Sequence, residues 1–396
     1  MLAIILSPLY ILVNLYLFWR IFGWIRVWFP SFEKKRRWLI PVIIYAFFAL
    51  SFLVAFFLPA GQLRRWMKLI GNYWLGVLLY MLLAVALADL LRLLFVHLLH
   101  LRERVCRPWV HRTVGGLCAA AILVVTVLGV VNAGNIQVTP YTVTVDKRAG
   151  DMHEMQVVLL ADLHLGYNIG LRQMQQMVEK VNAQQPDLVV IAGDIFDNEW
   201  EAVDRPEQLA ATLRGIRSTY GVYACYGNHD IEEPILAGFT FGGGREKASS
   251  PEMDAFLTEA GIQLLQDEAV LINGQVWLYG RPDAKKPGRG IATRRTPQQI
   301  TEQLGTDKPI LVLDHEPSEL AELADAGVDV DLCGHTHDGQ LFPGTLTIQL
   351  FWENAYGYSR KDAMQVIVTS GVGLFGPNMR VGTKAEICPI TLRFAG

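Results

Sequence analysis

Four long apolar runs in the first third of the chain restrict its possible folds more than any other feature. They lie approximately over residues 2–22, 39–58, 73–96 and 114–131. Each approaches or exceeds the roughly 20 residues that a helix needs to cross about 30 Å of hydrocarbon. A buried helix of a soluble domain is usually shorter and carries a polar stripe, and a cleaved signal segment would explain one run at most. The pattern predicts an all-α transmembrane domain of about four helices over residues 1–134, the first interrupted by Pro8, Asn14 and Arg20. With 52% hydrophobic residues and a mean hydropathy of +0.27, the 396-residue chain is too apolar for an ordinary soluble protein.

Basic residues in the short loops set an orientation, because Lys and Arg accumulate on the cytoplasmic side. Arg26, Lys34, Lys35, Arg36 and Arg37 follow the first run, with Arg20 at its edge, and Arg102, Arg104, Arg107 and Arg112 follow the third; only Arg64, Arg65 and Lys68 lie between the second and third. The asymmetry predicts a multi-pass protein of the cell membrane with an extracytoplasmic C-terminal domain. Asp89 and Arg92, three residues apart, share a helix face. Such a pair is either functional or sits near the cytoplasmic end with Arg92 snorkelling to the interface. The formal net charge of -3 gives no global reason to expect nucleic acid as a partner. Cys106, Cys118, Cys225, Cys333 and Cys388 show no CxxC spacing, which supports neither a disulfide framework nor a zinc ribbon.

The character changes near Asn135. Residues 135–154 read as a linker with one short strand, and residues 155–396 alternate apolar strand runs with amphipathic stretches, an α/β pattern. The strand runs are Met155–Ala161, Leu188–Ala192, Val222–Tyr226, Ile310–Leu313 and Val328–Cys333. Each ends at a polar cluster: Asp162 and His164; Asp194 and Asp197; Asn228, His229 and Asp230; Asp314, His315 and Glu316; His335 and His337. Carboxyl ends of strands are where open α/β sheets build their sites. One Asp or Asn there is ordinarily a helix cap, and one His an ordinary core or surface residue. Five clusters in series point instead to one site.

The donors are carboxylate oxygens, imidazole nitrogens and an Asn carbonyl without thiolate, a set suited to manganese, iron, zinc or magnesium. A structural zinc would use four ligands and leave the others without a reason. Two ions about 3.5–4 Å apart can hold a hydroxide between them and clamp a phosphoryl group for in-line attack. His229, directly after Asn228, is then placed for general acid work or transition-state stabilisation.

The motifs Asp162-Leu163-His164, Gly193-Asp194 with Asp197, Gly227-Asn228-His229-Asp230, His315 and Gly334-His335-Thr336-His337 resemble the signature of the calcineurin-like metallophosphoesterases over about Met155 to Leu392. Gly334–Gln340, Thr369–Gly373, Glu386 and Thr391-Leu392 are further similar to the YkuE-like bacterial branch, although Asp338 stands where that branch commonly has glycine. The resemblance implies a four-layer α/β sandwich with two mixed sheets and two divalent ions, manganese foremost. It implies one metal on Asp162, His164 and His337, a second on Asn228, His315 and His335, and Asp194 bridging both. It also implies that Asp197 orients His229; Asp230 is a second candidate for that role.

A site tethered by membrane helices lies within reach of lipid headgroups. The expected substrate is therefore a lipid-linked phosphate ester or pyrophosphate. Soluble nucleotides or other extracytoplasmic esters are the alternative, and a transporter or receptor with a metal-binding sensor domain is an alternative of another class. Ile235–Ser250, with Phe239 and Phe241, and Leu341–Tyr358, with Phe342, Phe351, Trp352, Tyr356 and Tyr358, offer aromatic contact with a membrane interface or else fill a core. Arg245, Lys247, Arg281, Lys285, Lys286 and Arg289 are candidate phosphate contacts or merely solvated charges.

Overall fold

The computed structural model describes residues 2–33, 35–233, 235–236, 239–240, 248–288 and 290–396. Contacts divide the chain into a helical unit, comprising Met1–Val131, Ile235–Phe241 and Gly376–Met379, and a larger unit formed by the rest.

The helical unit carries α1 (Leu2–Trp28), α2 (Leu39–Phe57), α3 (Gln62–Leu93) and α4 (Pro108–Ala133). Among the described residues, four helices are long and apolar enough to cross a membrane, and their outward apolar side chains, such as Leu12 at 64% and Leu128 at 62% exposure, need lipid rather than water around them. The third candidate span, Gln62–Leu98, is 37 residues long. It exceeds the apolar run because its first turns carry Arg64, Arg65 and Lys68 and extend beyond the hydrocarbon length.

The residues that break the apolar pattern of α1 find partners within the bundle. Asn14 donates to the Tyr10 carbonyl at 2.8 Å and accepts from Tyr45 Oη at 3.1 Å. Arg20 pairs with Asp89 of α3, whose other oxygen accepts from Tyr16 Oη at 2.7 Å. The partners of Asp89 thus come from α1, and Arg92 reaches Cys106 Sγ at 4.0 Å. A polar group in hydrocarbon is tolerated when a neighbouring helix satisfies it, so a sequence interruption need not be a break in the span.

The larger unit is built on two mixed sheets. Its strands are β1 (Ile136–Val138), β2 (Tyr141–Val145), β3 (Glu154–Leu160), β4 (Leu188–Ala192), β5 (Val222–Cys225), β6 (Gln263–Leu264), β7 (Glu268–Ile272), β8 (Val276–Gly280), β9 (Ile310–Leu313), β10 (Val330–Cys333), β11 (Gly357–Lys361), β12 (Met364–Val368) and β13 (Ala385–Phe394). The first sheet runs β1-β13-β3-β4-β5-β6, with β2 also on β13, and the second runs β11-β12-β10-β9-β8-β7. Within the first, β3, β4 and β5 are parallel while β13 is antiparallel to β3.

Alternation along the strands sets the layers. In β3, Val157 and Leu159 face the second sheet and pack with Leu278, Leu311 and Leu332, whereas Val158 and Leu160 face outward to Met174, Met177 and Val181 of helix Leu171–Ala183. On the other side, Val312 and Val366 pack against Leu320 and Leu323 of helix Leu320–Ala326. The result is a four-layer α/β sandwich. Residues 135–154, read from the sequence as a linker with one short strand, contribute two strands to the first sheet. β1 and β2 both pair in parallel with β13.

Candidate active site

The polar clusters meet at the carboxyl edge of both sheets. Asp162 and His164 follow β3, Asp194 follows β4, Asn228 and His229 follow β5, His315 follows β9, and His335 and His337 follow β10. To turn several side chains inward over a few residues, the chain enters left-handed backbone. Asp162, His164, Asp194, His335 and His337 have φ of 53, 46, 49, 71 and 50°. Non-glycine residues there cost on the order of 1–3 kcal/mol each and persist where the surroundings over-determine them. The turns also need glycine. A Cβ on Gly334 would lie 2.6 Å from Asp162 Oδ2, and one on Gly227 would collide with Asp194 Oδ1.

Two donor groups result. In one, His164 Nε2 lies 3.1 Å from His337 Nε2, which is 3.5 Å from Asp162 Oδ1. In the other, His315 Nε2 lies 3.1 Å from both Asn228 Oδ1 and His335 Nδ1. Asp194 Oδ2 faces both, 3.1 Å from His315 Nε2 and 3.7 Å from His164 Nε2. Ligand atoms of Asp162, His164 and His337 all lie within 4.8 Å of one another, as do those of Asp194, His315 and His335, and those of His164, Asp197 and His229.

Electrostatics fit cations at this position. Burial lowers His229 to about 4 and His335 to about 3, and burial with the neighbouring His164 and Arg380 holds His337 well below the imidazole range. These rings are neutral at physiological pH, the form that ligates a metal. Burial opposes a charge on His315, yet Asp194 and Asp162 hold it well above the ordinary range. Asp194 and Asp162 therefore place negative charge beside His315. Opposed nitrogens and two buried carboxylates suit divalent ions of intermediate hardness.

A family model described as calcineurin-like phosphoesterase matches residues 155–339. The transmembrane protein with metallophosphoesterase domain of Danio rerio is 30% identical over 376 residues, covering 91% of this chain and 82% of its own length. The chain is a calcineurin-like metallophosphoesterase. A Bos taurus protein of the same description is 29% identical over 298 residues, 70% of this metallophosphoesterase and 62% of the relative. The UDP-2,3-diacylglucosamine pyrophosphatase LpxG of Chlamydia trachomatis is 22% identical over 254 residues, 54% of this chain and 75% of that one.

In this metallophosphoesterase His229 is seated among the donors, its backbone N–H donating to Asp194 Oδ1 at 2.8 Å. Its Nδ1 bonds to Asn198 Oδ1, whereas Asp197 Oδ1 lies 4.0 Å from that nitrogen and 3.5 Å from His164 Nδ1. Asp197 stands between two histidines, and Asn198 is the hydrogen-bond partner of His229. Asp230 is fully buried and accepts from Phe196 N at 2.8 Å and Gly227 N at 2.7 Å, which braces the turn bearing Asn228.

Three further residues surround the centre. The Phe375 ring packs 5.1 Å from His229 and 6.1 Å from His164, fixed by backbone bonds of 2.9 Å in each direction to the Gln340 amide. Arg380 is fully buried, and its Nη2 donates to the carbonyls of Ser370, Gly371 and Gly373, with His337 Nδ1 at 3.3 Å. Burial lowers Arg380 to about 10. Lys286 donates to the Asn228 carbonyl at 3.0 Å and to Glu233 at 3.1 Å.

Among the candidate phosphate contacts, Arg281 is fully buried in ion pairs with Asp314 and Glu319, so it is not open to a substrate. Lys285 is exposed and 3.6 Å from Glu316. Arg245, Lys247 and Arg289, and also Phe241, lie outside the described residues. Ile235–Leu236 pairs with Phe239–Thr240 as a short antiparallel ladder.

Proposed function

We propose that this membrane metallophosphoesterase hydrolyses a phosphate ester or pyrophosphate bond on a lipid-linked substrate, using two divalent ions in an extracytoplasmic domain spanning residues 155–396, anchored by a transmembrane domain over residues 1–134. One observation carries the lipid assignment. Leu350 and Phe351 are 81% and 77% exposed, beside Trp352, whose ring packs 5.2 Å from that of His335. Leu346 and Phe342, in the same segment, are also exposed. Exposed apolar patches of this kind mark interaction sites. The name of the Chlamydia trachomatis relative, a pyrophosphatase of a diacylated sugar nucleotide, agrees with this chemistry.

In this reading Asp162, His164 and His337 hold one ion, Asn228, His315 and His335 the other, and Asp194 is shared. Such ions, when bound, polarise phosphoryl oxygens and acidify a water. The chain supplies the rest. His229 donates Nδ1–H to Asn198, which leaves Nε2 of the neutral ring as the atom that takes up a proton and passes it to the leaving oxygen. Phe375 walls off the His164 and His229 side, keeping the low dielectric in which these interactions are strong. Asp230, Lys286 and Arg380 brace the turns that carry Asn228 and His337.

The test is turnover by the full-length protein with Mn²⁺ on extracted membrane lipids beside a panel of soluble nucleotides. Hydrolysis mainly in the lipid fraction, read as loss of intact substrate and appearance of its cleavage products, is expected. A preference for nucleotides would remove the lipid assignment and leave the metal centre standing.

A further inference from the structure

The helical unit contains a cleft that the phosphoesterase chemistry does not use. Among the described residues, cavities of about 400, 440 and 600 Å³ open between α1, α3 and α4, and Arg20 borders all of them. Two are apolar lobes. The first is walled by residues such as Val77, Met81, Val85 and Ile122, and the second by Val27, Leu91, Phe95 and Val105; Ala88 stands between them, lining both. The third is less apolar and carries the charged residues Arg20, Arg92, Arg102 and Asp89, with His97.

The charges do not balance in this third cavity. Arg20 is paired with Asp89, and its Nε is buried without a partner. Arg92 meets the weak acceptor Cys106 Sγ at 4.0 Å rather than a carboxylate, and Arg102 adds a further positive charge. A positively charged pocket between transmembrane helices, sharing Arg20 with two apolar lobes, matches a molecule with an anionic head and two aliphatic chains. Each lobe is within the range of about 300–1,000 Å³ of ordinary ligand sites. All the residues that line the cleft belong to the helical unit, and none is a donor of the metal centre. The cleft is a separate site.

We infer that the cleft between α1, α3 and α4 binds an anionic phospholipid of the bilayer, with its phosphate at Arg20, Arg92 and Arg102 and its two chains in the lobes on either side of Ala88. This proposal is independent of the substrate assigned to the metal centre.

Native mass spectrometry of the full-length protein, delipidated and titrated with phosphatidylglycerol or phosphatidylcholine, tests it. One phosphatidylglycerol should bind about 10- to 30-fold more tightly than phosphatidylcholine, as two unneutralised arginines near a lipid phosphate imply. In a double variant Arg92→Gln with Arg102→Gln the ratio should fall towards one. Ala88→Phe, which alters no charge, should weaken both lipids. Equal binding of the two lipids by the wild-type protein would overturn the proposal without any variant. An unchanged ratio in the double variant, or unchanged binding in Ala88→Phe, would place the lipid elsewhere and overturn it too. A dimer mass without a lipid adduct would show a second chain as the occupant and would equally overturn it.

Discussion

The two halves of the molecule bury polar groups in opposite ways. In the helical unit, Asn14 meets Tyr10 and Tyr45, and Asp89 meets Arg20 and Tyr16, so this amide and this carboxylate are both satisfied by neighbouring groups. In the phosphoesterase unit, Asp162, Asp194 and four histidines converge with opposed nitrogens and left-handed backbone. A paired cluster is a packing device. A converging set of donors that do not satisfy one another, held at a cost in backbone strain, is a binding device.

Asp194→Ala should separate these two kinds of burial most severely. Its oxygen faces both donor groups, so metal content and turnover should collapse together; full occupancy of both ions would disprove the bridging assignment. His229→Ala should keep both ions and lose about 10²- to 10⁴-fold in turnover, the usual scale for an acid–base group. Full activity with intact metal would dismiss its role.

Asn198→Ala comes next. An orienting partner of a functional histidine is worth on the order of 10- to 100-fold, and the loss should appear in kcat with KM little changed. If Asp197→Ala costs more than Asn198→Ala while metal content is intact, the orienting role belongs to Asp197 after all. Replacing Leu350 and Phe351 together by Ser should lower turnover of lipid-linked substrate by about 10-fold, the scale of one buried large apolar side chain. Soluble esters should be unaffected; an equal loss on both would reduce the patch to a structural feature.

A milder change is expected at Asp331, a fully buried carboxyl behind the site. Burial and then Asp314 push it up to about 7. Its folded pKa is above the unfolded value of about 3.9, so its contribution to stability is complete below about pH 4 and is lost as pH rises through about 7. Asp331→Asn should flatten the decline in melting temperature across that window. Identical pH slopes for the two proteins would refute the assignment.

Much of the site is legible in the sequence because each donor cluster ends an apolar run. Leu188–Ala192 and Ile310–Leu313 are strands with the bounds that hydrophobicity alone suggests. Pairing with distant chain is not legible. β1 and β2 are short, and what makes them part of the sheet is β13, which begins at Ala385. Asn198 is hidden for another reason. Charge favours Asp197, but Asn198 has a left-handed φ of 60°, and it is the amide that reaches His229. Arg380 belongs to no motif, since the carbonyls that hold it appear only once the turn Ser370–Gly373 is folded. Arg281 looks like a surface charge until Asp314 and Glu319 close over it.

If a dinuclear phosphoesterase centre works on lipid-linked substrate beside an apolar surface, acyl chains on the substrate must raise its turnover. Full-length protein in vesicles with Mn²⁺ would be given a diphosphate bearing acyl chains and the same diphosphate without them, and the two kcat/KM values compared. The acylated substrate should have the higher value. An equal or higher value for the chain-free diphosphate would contradict the lipid-linked assignment.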